Sequence, residues 1–527
     1  MLFLPLAQIF HADRDEEVTK PHGTRRAMDS DDGCVSTHSP RTPLAGRQWG
    51  RLLSSSPEGV SRAGASESMT SSSTQYPSGF PVSVVDRHEV FGLDSHFALF
   101  AAILLISFLG ITSTRANDTS ENLPSNIFGI RSDVAKKGVA FKVKSISDLF
   151  GNTTGGAGKG GSYAGLVTLE TDVDLEKKLG WKGATFNNTW IWIYGDNLST
   201  KYIGNSMYIV GIAANPAFRC YQLWLDQNLF DKSFSLRGGL LAINTEFGLA
   251  PTGLFFINNT FSMPALFLCN FPNGGPTYPM ATPGVRLAFH PCSWMTIRSV
   301  FTQANPFSQS DNPNNFNWNF GPTGGLLSLN EVETTWNQES QSTGLPGMGK
   351  VGYGIHNGQS SGNQSSGHFN YGAPVQNEYG TGFYGIIDQQ ITDPSQMIKH
   401  AKPNHNTPGS KEGLSAFLRG GFSPLQWEVT SLYADGGVVY TGILPGRKKD
   451  KLGIAFAYAQ MSPDSRAQAS AAGLPGPSFE SIAELSYSWV VSSSCSLQPD
   501  LEYVIHPNGT EQFGNALVVG IRAVINF

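Results

Sequence analysis

The stretch from Asn515 to Phe527, NALVVGIRAVINF, alternates without a break. Leu517, Val519, Ile521, Ala523, Ile525 and Phe527 form one apolar face, and Ala516, Val518, Gly520, Arg522, Val524 and Asn526 form a smaller, more polar one. Successive side chains of an extended strand point to opposite sides of the sheet, so this segment offers one face to oil and another that tolerates water. The same period recurs upstream. In LGIAFAYAQ, Leu452, Ile454, Phe456 and Tyr458 alternate with Gly453, Ala455, Ala457 and Ala459; in VRLAFH, Val285, Leu287 and Phe289 oppose Arg286, Ala288 and His290. TWIWIYGDN puts Trp190, Trp192 and Tyr194 on one side, as an aromatic girdle at a bilayer interface would require. A half-buried strand in a soluble sandwich shows the same alternation, so each segment taken singly fits either setting.

The N-terminus argues for export. Phe97 to Ile111, FALFAAILLISFLGI, is an uncharged run too short for the ~20 residues of a spanning helix but suited to a signal-peptide core. Thr114 and Ala116 supply small residues before a cleavage point, which places the expected cut between Ala116 and Asn117. The preceding DRHEVFGLDSH lacks the positive charge usual in such a leader. Residues 1–95 are rich in Ser, Arg, Gly and Pro without apolar periodicity and read as a disordered or mis-started extension. The expected organisation is therefore 1–95 extension, 96–116 signal peptide, 117–160 periplasmic segment and 161–527 membrane domain.

After Ala116 no uncharged stretch is long enough for a transmembrane helix, so a bilayer crossing requires a closed barrel. Composition agrees: 59 glycines, 11% aromatic residues and only 15% charged residues suit strands and turns with an aromatic outer surface. The formal charge of −5 indicates neither nucleic-acid binding nor a polybasic membrane surface. Long polar connections such as NQESQSTGLPGMGK and HNGQSSGNQSSGHFNYGAPVQNEYG are unusual in compact soluble domains but are tolerated between barrel strands. At about 25 residues per strand and connection, the 411 residues after Ala116 supply roughly 16 strands. The expected fold is thus all-β, a transmembrane antiparallel barrel. Bacterial outer-membrane strands commonly finish on Phe, so Phe527 is expected to serve as the signal read by the outer-membrane assembly machinery.

Cys220, Cys269, Cys292 and Cys495 show no CxxC spacing or metal motif; two disulfides are expected, with free buried thiols as the alternative. No cofactor or metal is expected. No nucleophile elbow appears, and paired carboxylates for a secreted glycosidase are not evident. No GxxxxGK[ST] loop is present, so passage driven by a gradient is expected rather than nucleotide-coupled transport.

Several segments in order resemble the carbohydrate-selective porins of the OprB family, from about Gly129 to Phe527. GIRSDVAKKGVAF is similar to the family's short N-terminal helical stretch and DVDLEKKLGWKGATF to its early-strand signature. SLRGGLLAINTEFG, PGVRLAF, YADGGVVYTGILPGR, LGIAFAY and LQPDLEYVIHPNG continue the resemblance. It implies an integral protein of the bacterial outer membrane that passes carbohydrate solutes such as glucose, as a monomer or homotrimer surrounded by lipid. The cysteines and the long N-terminal extension depart from the pattern. A general-diffusion pore or a structural or adhesive barrel is the alternative.

The same resemblance makes Arg237 and Glu246 the first candidates for a channel-facing pair. Simple alternation puts them on opposite faces, so a bulge at Gly238–Gly239 or an early strand end is needed. Arg286 and Arg419 face inward by alternation, and a structural lumen ion pair is as good a reading for all four. Asn305, Asn317 and Trp318 are candidates for an inward loop offering an aromatic face to sugar. Asp435, in ADGG, reads as a turn or strand-end residue.

Overall fold

The computed structural model describes residues 136–527 except 319, 340–341, 343, 359–378, 394–411, 426–427 and 475–477. The extension, the hydrophobic run with Ala116 and Asn117, and most of the expected N-terminal helical stretch lie outside the described residues. Sixteen strands follow in order: β1 Val139–Gly156, β2 Gly160–Asp174, β3 Ala184–Gly195, β4 Ala217–Leu229, β5 Phe234–Leu241, β6 Thr282–Cys292, β7 Met295–Gln303 and β8 Leu326–Trp336 form the first half. The second half is β9 Gly347–His356, β10 Gly380–Gln390, β11 Gly413–Phe422, β12 Thr430–Thr441, β13 Lys451–Met461, β14 Phe479–Val490, β15 Cys495–Ile505 and β16 Gly514–Asn526.

Each strand pairs antiparallel with its sequence neighbours, and β1 closes on β16 with Lys144 opposite Asn526 and Asn152 opposite Val518. Closure satisfies the backbone of every strand and leaves no edge, which the interior of a bilayer demands. Facing strands put Asp148 opposite Arg522, and two hydrogen bonds of 2.8 and 2.6 Å stitch the seam. The barrel therefore opens at Val139, inside the stretch expected to precede it: without β1, strands β2 and β16 would be bare edges. Phe527 ends the chain beside β1, its backbone N–H donating to the Val143 carbonyl.

Outward positions carry the large apolar side chains the alternation predicts. Val285, Phe289, Ile454 and Phe456 are exposed on the outer surface, whereas Ala288, Ala455, Ala457 and Ala459 are buried on the inner one. Connections 196–216 and 242–281 turn into the barrel and form an apolar core there. Its members include Ile203, Met207, Phe247 and Phe261, and the helical turns Asn259–Ser262 and Ala265–Asn270 lie in the second connection. The small inner residues of β13 make room for this plug: a Cβ on Gly453 would stand 2.6 Å from the Phe255 ring.

Two local expectations are corrected. Asp435 lies in the middle of β12 rather than in a turn, because the Arg419 guanidinium on β11 compensates its buried charge. The four described cysteines are free. Cys220 is on β4, Cys269 in the inner plug, Cys292 at the end of β6 and Cys495 at the start of β15, so no pair is brought together.

Candidate functional site

Asp226, Arg237 and Arg286 stand side by side on β4, β5 and β6, directly opposite one another in register, with their side chains inward. Glu246 reaches them from the plug. Strand β5 ends at Leu241 after Gly239, whose φ of 145° lets the chain turn inward; a 3-10 turn, Ile243–Thr245, then delivers Glu246. An early strand end thus resolves the conflict in alternation.

The four charges interlock. Arg237 bonds Asp226 through Nε and Nη2 at 2.8 and 2.7 Å and Glu246 through Nη1 at 2.6 Å. Arg286 bonds Asp226 at 2.7 Å and the Ser235 hydroxyl at 2.6 Å, and its Nε lies 2.9 Å from Glu246. Ser235 in turn donates to Asp226 at 2.6 Å. The Arg237 guanidinium carbon lies over the Trp224 ring, 3.8 Å from its centroid.

Exposure divides the group: the side chains of Arg237 and Glu246 are 16% and 24% exposed, those of Arg286 and Asp226 only 6% and 8%. Arg286 and Asp226 hold the pair in place while Arg237 and Glu246 meet the lumen. A guanidinium has five N–H donors. Three of those on Arg237 are engaged, which leaves two for a solute or water.

The charged row continues along the wall. Arg298 on β7 bonds Glu331 and Glu333 on β8 at 3.2 and 2.9 Å, and Lys350 on β9 lies 3.0 Å from Glu333. Beside this charged network, between β2–β5 and the plug, is a chamber of about 450 Å³ lined by Thr168, Gln222, Trp224, Arg237 and Glu246 among others. Tyr278, a plug residue on its border, is held by burial well above the ordinary phenol range and donates to the Ile212 carbonyl at 2.7 Å.

Arg237, Glu246 and Arg286, each a separate candidate from the sequence, therefore lie in one network, and its fourth member, Asp226, was missed. Its signal is present in YQLWLDQNL, where Gln222, Trp224 and Asp226 share one face of β4.

The other three candidates lie elsewhere. Arg419 is fully buried, bonding Asp435 and the carbonyls of Gly248, Thr260 and Phe261, so it faces packed plug rather than water. Asn305 is buried in its own loop, where its side-chain oxygen accepts from Phe307 N and Asn273 Nδ2. Trp318 is on the outside of the barrel. Connection 304–325 folds over β3 and β4, where Asn315 Nδ2 donates to Cys220 O at 3.0 Å and Phe316 meets the outward Trp190 at 6.1 Å. Trp318 lies 6.4 Å beyond Phe316, and Asn317 is bound within the same loop through Asn312. A bulge at Tyr221, where Thr189 opposes Gln222 but Trp190 opposes Cys220, frees the β4 backbone to receive this loop.

Comparison with known proteins agrees with this architecture. The family described as "Carbohydrate-selective porin, OprB family" matches residues 158–527. Porin B of Pseudomonas aeruginosa is 25% identical over 432 residues, spanning 75% of this chain and 88% of that protein. A solved high-pH structure of Pseudomonas putida OprB matches with a TM-score of 0.66 at 22% identity, over 79% of this chain and 100% of that one. With the family match reaching from the second strand to the last residue, the chain belongs to the carbohydrate-selective porins of the OprB family and is an integral outer-membrane channel for sugars.

Proposed function

We propose that Arg237 and Glu246 form the selective constriction, with Arg286 and Asp226 as its support, and that monosaccharides such as glucose pass it by passive diffusion. The observation that carries this reading is the four-charge network, in which two N–H groups of Arg237 and part of the Glu246 carboxylate remain turned to the lumen. A sugar exchanges hydration for several charge-assisted hydrogen bonds around its ring there, while a solute with fewer groups to match the pair loses water for a smaller return. Two cations oppose two anions, so the field runs across the channel and favours neither sign of ion strongly. Transport involves no bond-making, and the protein acts as a channel without catalysis. Strand β16 and Phe527 are read by the outer-membrane assembly machinery on this view, and lipid covers the outer apolar face.

The test is liposome swelling with protein purified from outer membranes after expression of the full chain. Glucose, a disaccharide and an uncharged amino acid of similar size are compared. Faster swelling with glucose than with the amino acid is the expected result. Equal rates would reassign the protein as a general-diffusion pore, and no swelling from a folded barrel would favour a structural role.

A further inference from the structure

We propose that the chamber beside the constriction is a separate saccharide subsite, shaped for a pyranose ring, and that Gln222 and Thr168 decide what it holds. The proposal rests on Arg237 and Glu246 being the pathway, since both border the chamber and a solute passing them enters it.

At about 450 Å³ the chamber falls within the ~300–1,000 Å³ of small-molecule sites. Its polar groups are arranged rather than scattered. The bulge in β4 turns Tyr221 and Gln222 both inward, which plain alternation would forbid. Trp224 Nε1 donates to Gln222 Oε1 at 3.1 Å. An indole nitrogen can only donate, so the amide orientation is set and the Gln222 NH2 group points its two donors elsewhere. Among the described residues no protein acceptor takes them. The Thr168 hydroxyl likewise has no protein partner there, and it can donate or accept.

Around these groups are Arg237, with two N–H groups to spare, and Glu246, an acceptor. Next to Thr168 the wall turns apolar: Ile191 is its direct cross-strand partner, and Leu166 is two residues away on the same face. Both are buried. A rim of donors and acceptors beside an aliphatic floor matches a pyranose, which has hydroxyls around its edge and C–H groups on its faces. A linear polyol has as many hydroxyls but must be ordered to fit, at an entropic cost that the rigid ring avoids.

The test uses full-chain protein in planar bilayers, with ion current recorded while glucose or mannitol is added. Wild-type protein is expected to be half-blocked at a lower concentration of glucose than of mannitol. Gln222→Leu and Thr168→Val, the second keeping the branched shape, should each raise the half-blocking glucose concentration roughly fivefold, as loss of one neutral hydrogen bond implies. The mannitol value should scarcely move, so the ratio of the two narrows. Mobility of unheated samples in gels verifies that each barrel is folded. Equal block by the two polyols in wild type, or unchanged glucose block in both folded variants, would overturn the subsite. Arg237→Ala and Glu246→Ala form the separating arm: if they alter sugar passage while the chamber variants do not, only the subsite falls. If they leave conductance and sugar passage untouched, the constriction reading falls.

Discussion

Strands β4–β9 and strands β10–β16 both carry charged residues on the inner face of the barrel, but the charges have different partners. On the first arc Asp226, Arg237, Arg286, Arg298, Glu333 and Lys350 bond mainly to one another and to Glu246. On the second, Arg522 joins Asp148 across the seam, and Asp388, Glu480, Glu484 and Arg419 bond the backbone of connections between strands. Asp388 accepts from Thr252 N and Oγ1 at 2.7 and 2.6 Å; Glu480 accepts from the N–H groups of Ser206, Met207 and Asn508. Glu484 accepts from those of Ile257 and Asn258 at 2.7 and 3.0 Å, and Arg419 donates to three carbonyls. Glu331 is the boundary, bonded to Arg298 on one side and to Gly248 N and Tyr384 Oη on the other. A charge on a barrel strand is thus pathway or anchor according to what fills the lumen opposite it. The plug packs against the second arc, and the proposed pathway runs along the first.

This division predicts a large loss of stability from changes on the second arc and altered transport from changes on the first. Arg419→Ala leaves Asp435 buried without a cation and takes the guanidinium donor from the Gly248, Thr260 and Phe261 carbonyls, of which Thr260 keeps only the Tyr433 hydroxyl, and should cost about 3–5 kcal/mol in urea unfolding. Asp435→Ala added to it should cost little more, because the pair acts as one unit. An Arg419→Ala protein as stable as wild type but changed in sugar flux would break the comparison. Glu484→Gln replaces one accepting oxygen with an NH2 group facing a backbone N–H and should cost about 1–3 kcal/mol. With Ile257 and Asn258 less firmly held, the current through single channels should also become noisier.

Arg237→Ala and Glu246→Ala belong to the first arc. Arg286 still neutralises Asp226 in the former, so stability should fall by only about 1 kcal/mol. Single-channel conductance should rise as the constriction widens, and discrimination of glucose from an amino acid should diminish. A loss of stability matching that of Arg419→Ala would show that the network serves the fold alone.

What sequence could reveal follows the same division. The outer face was legible because lipid asks only for alternation, and Val285, Phe289, Ile454 and Phe456 all obey it. Strand number followed from length. The pairing of Arg237 with Glu246 was anticipated through family resemblance, but their coming together depends on the turn after Gly239. Arg419 alternates inward as Arg286 does; nothing in its own strand tells that connection 242–281 fills the lumen beside it. Asp435 was misjudged because Asp-Gly-Gly is turn chemistry, and only its neighbour across β11 makes it a strand residue. The outward course of the Trp318 loop depends on backbone groups freed by the Tyr221 bulge, a tertiary event without a local motif.

The smallest effect expected on the second arc concerns Glu428, which lies between β11 and β12 and outside the spanning strands. It is buried, accepts from Thr381 N at 2.9 Å through one oxygen, and leaves the other without a partner. Burial raises it from 4.5 to about 8, the Thr381 bond opposing the change only in part. The folded state therefore keeps this proton between those values while the unfolded chain gives it up, so its contribution to stability is full below pH 4.5 and is lost as pH rises through 8. His356 is the titratable neighbour: a Cβ on Gly380 would touch both its Nε2 and Glu428 Oε1. Local opening around Glu428 can hydrate the carboxylate without unfolding the barrel, which limits the effect to about 1 kcal/mol. Glu428→Gln should thus gain on wild type as pH is raised from 5 to 9, measured as the difference between their thermal midpoints. A pH-dependent difference that disappears when both proteins also carry His356→Asn would assign the titration to the imidazole instead.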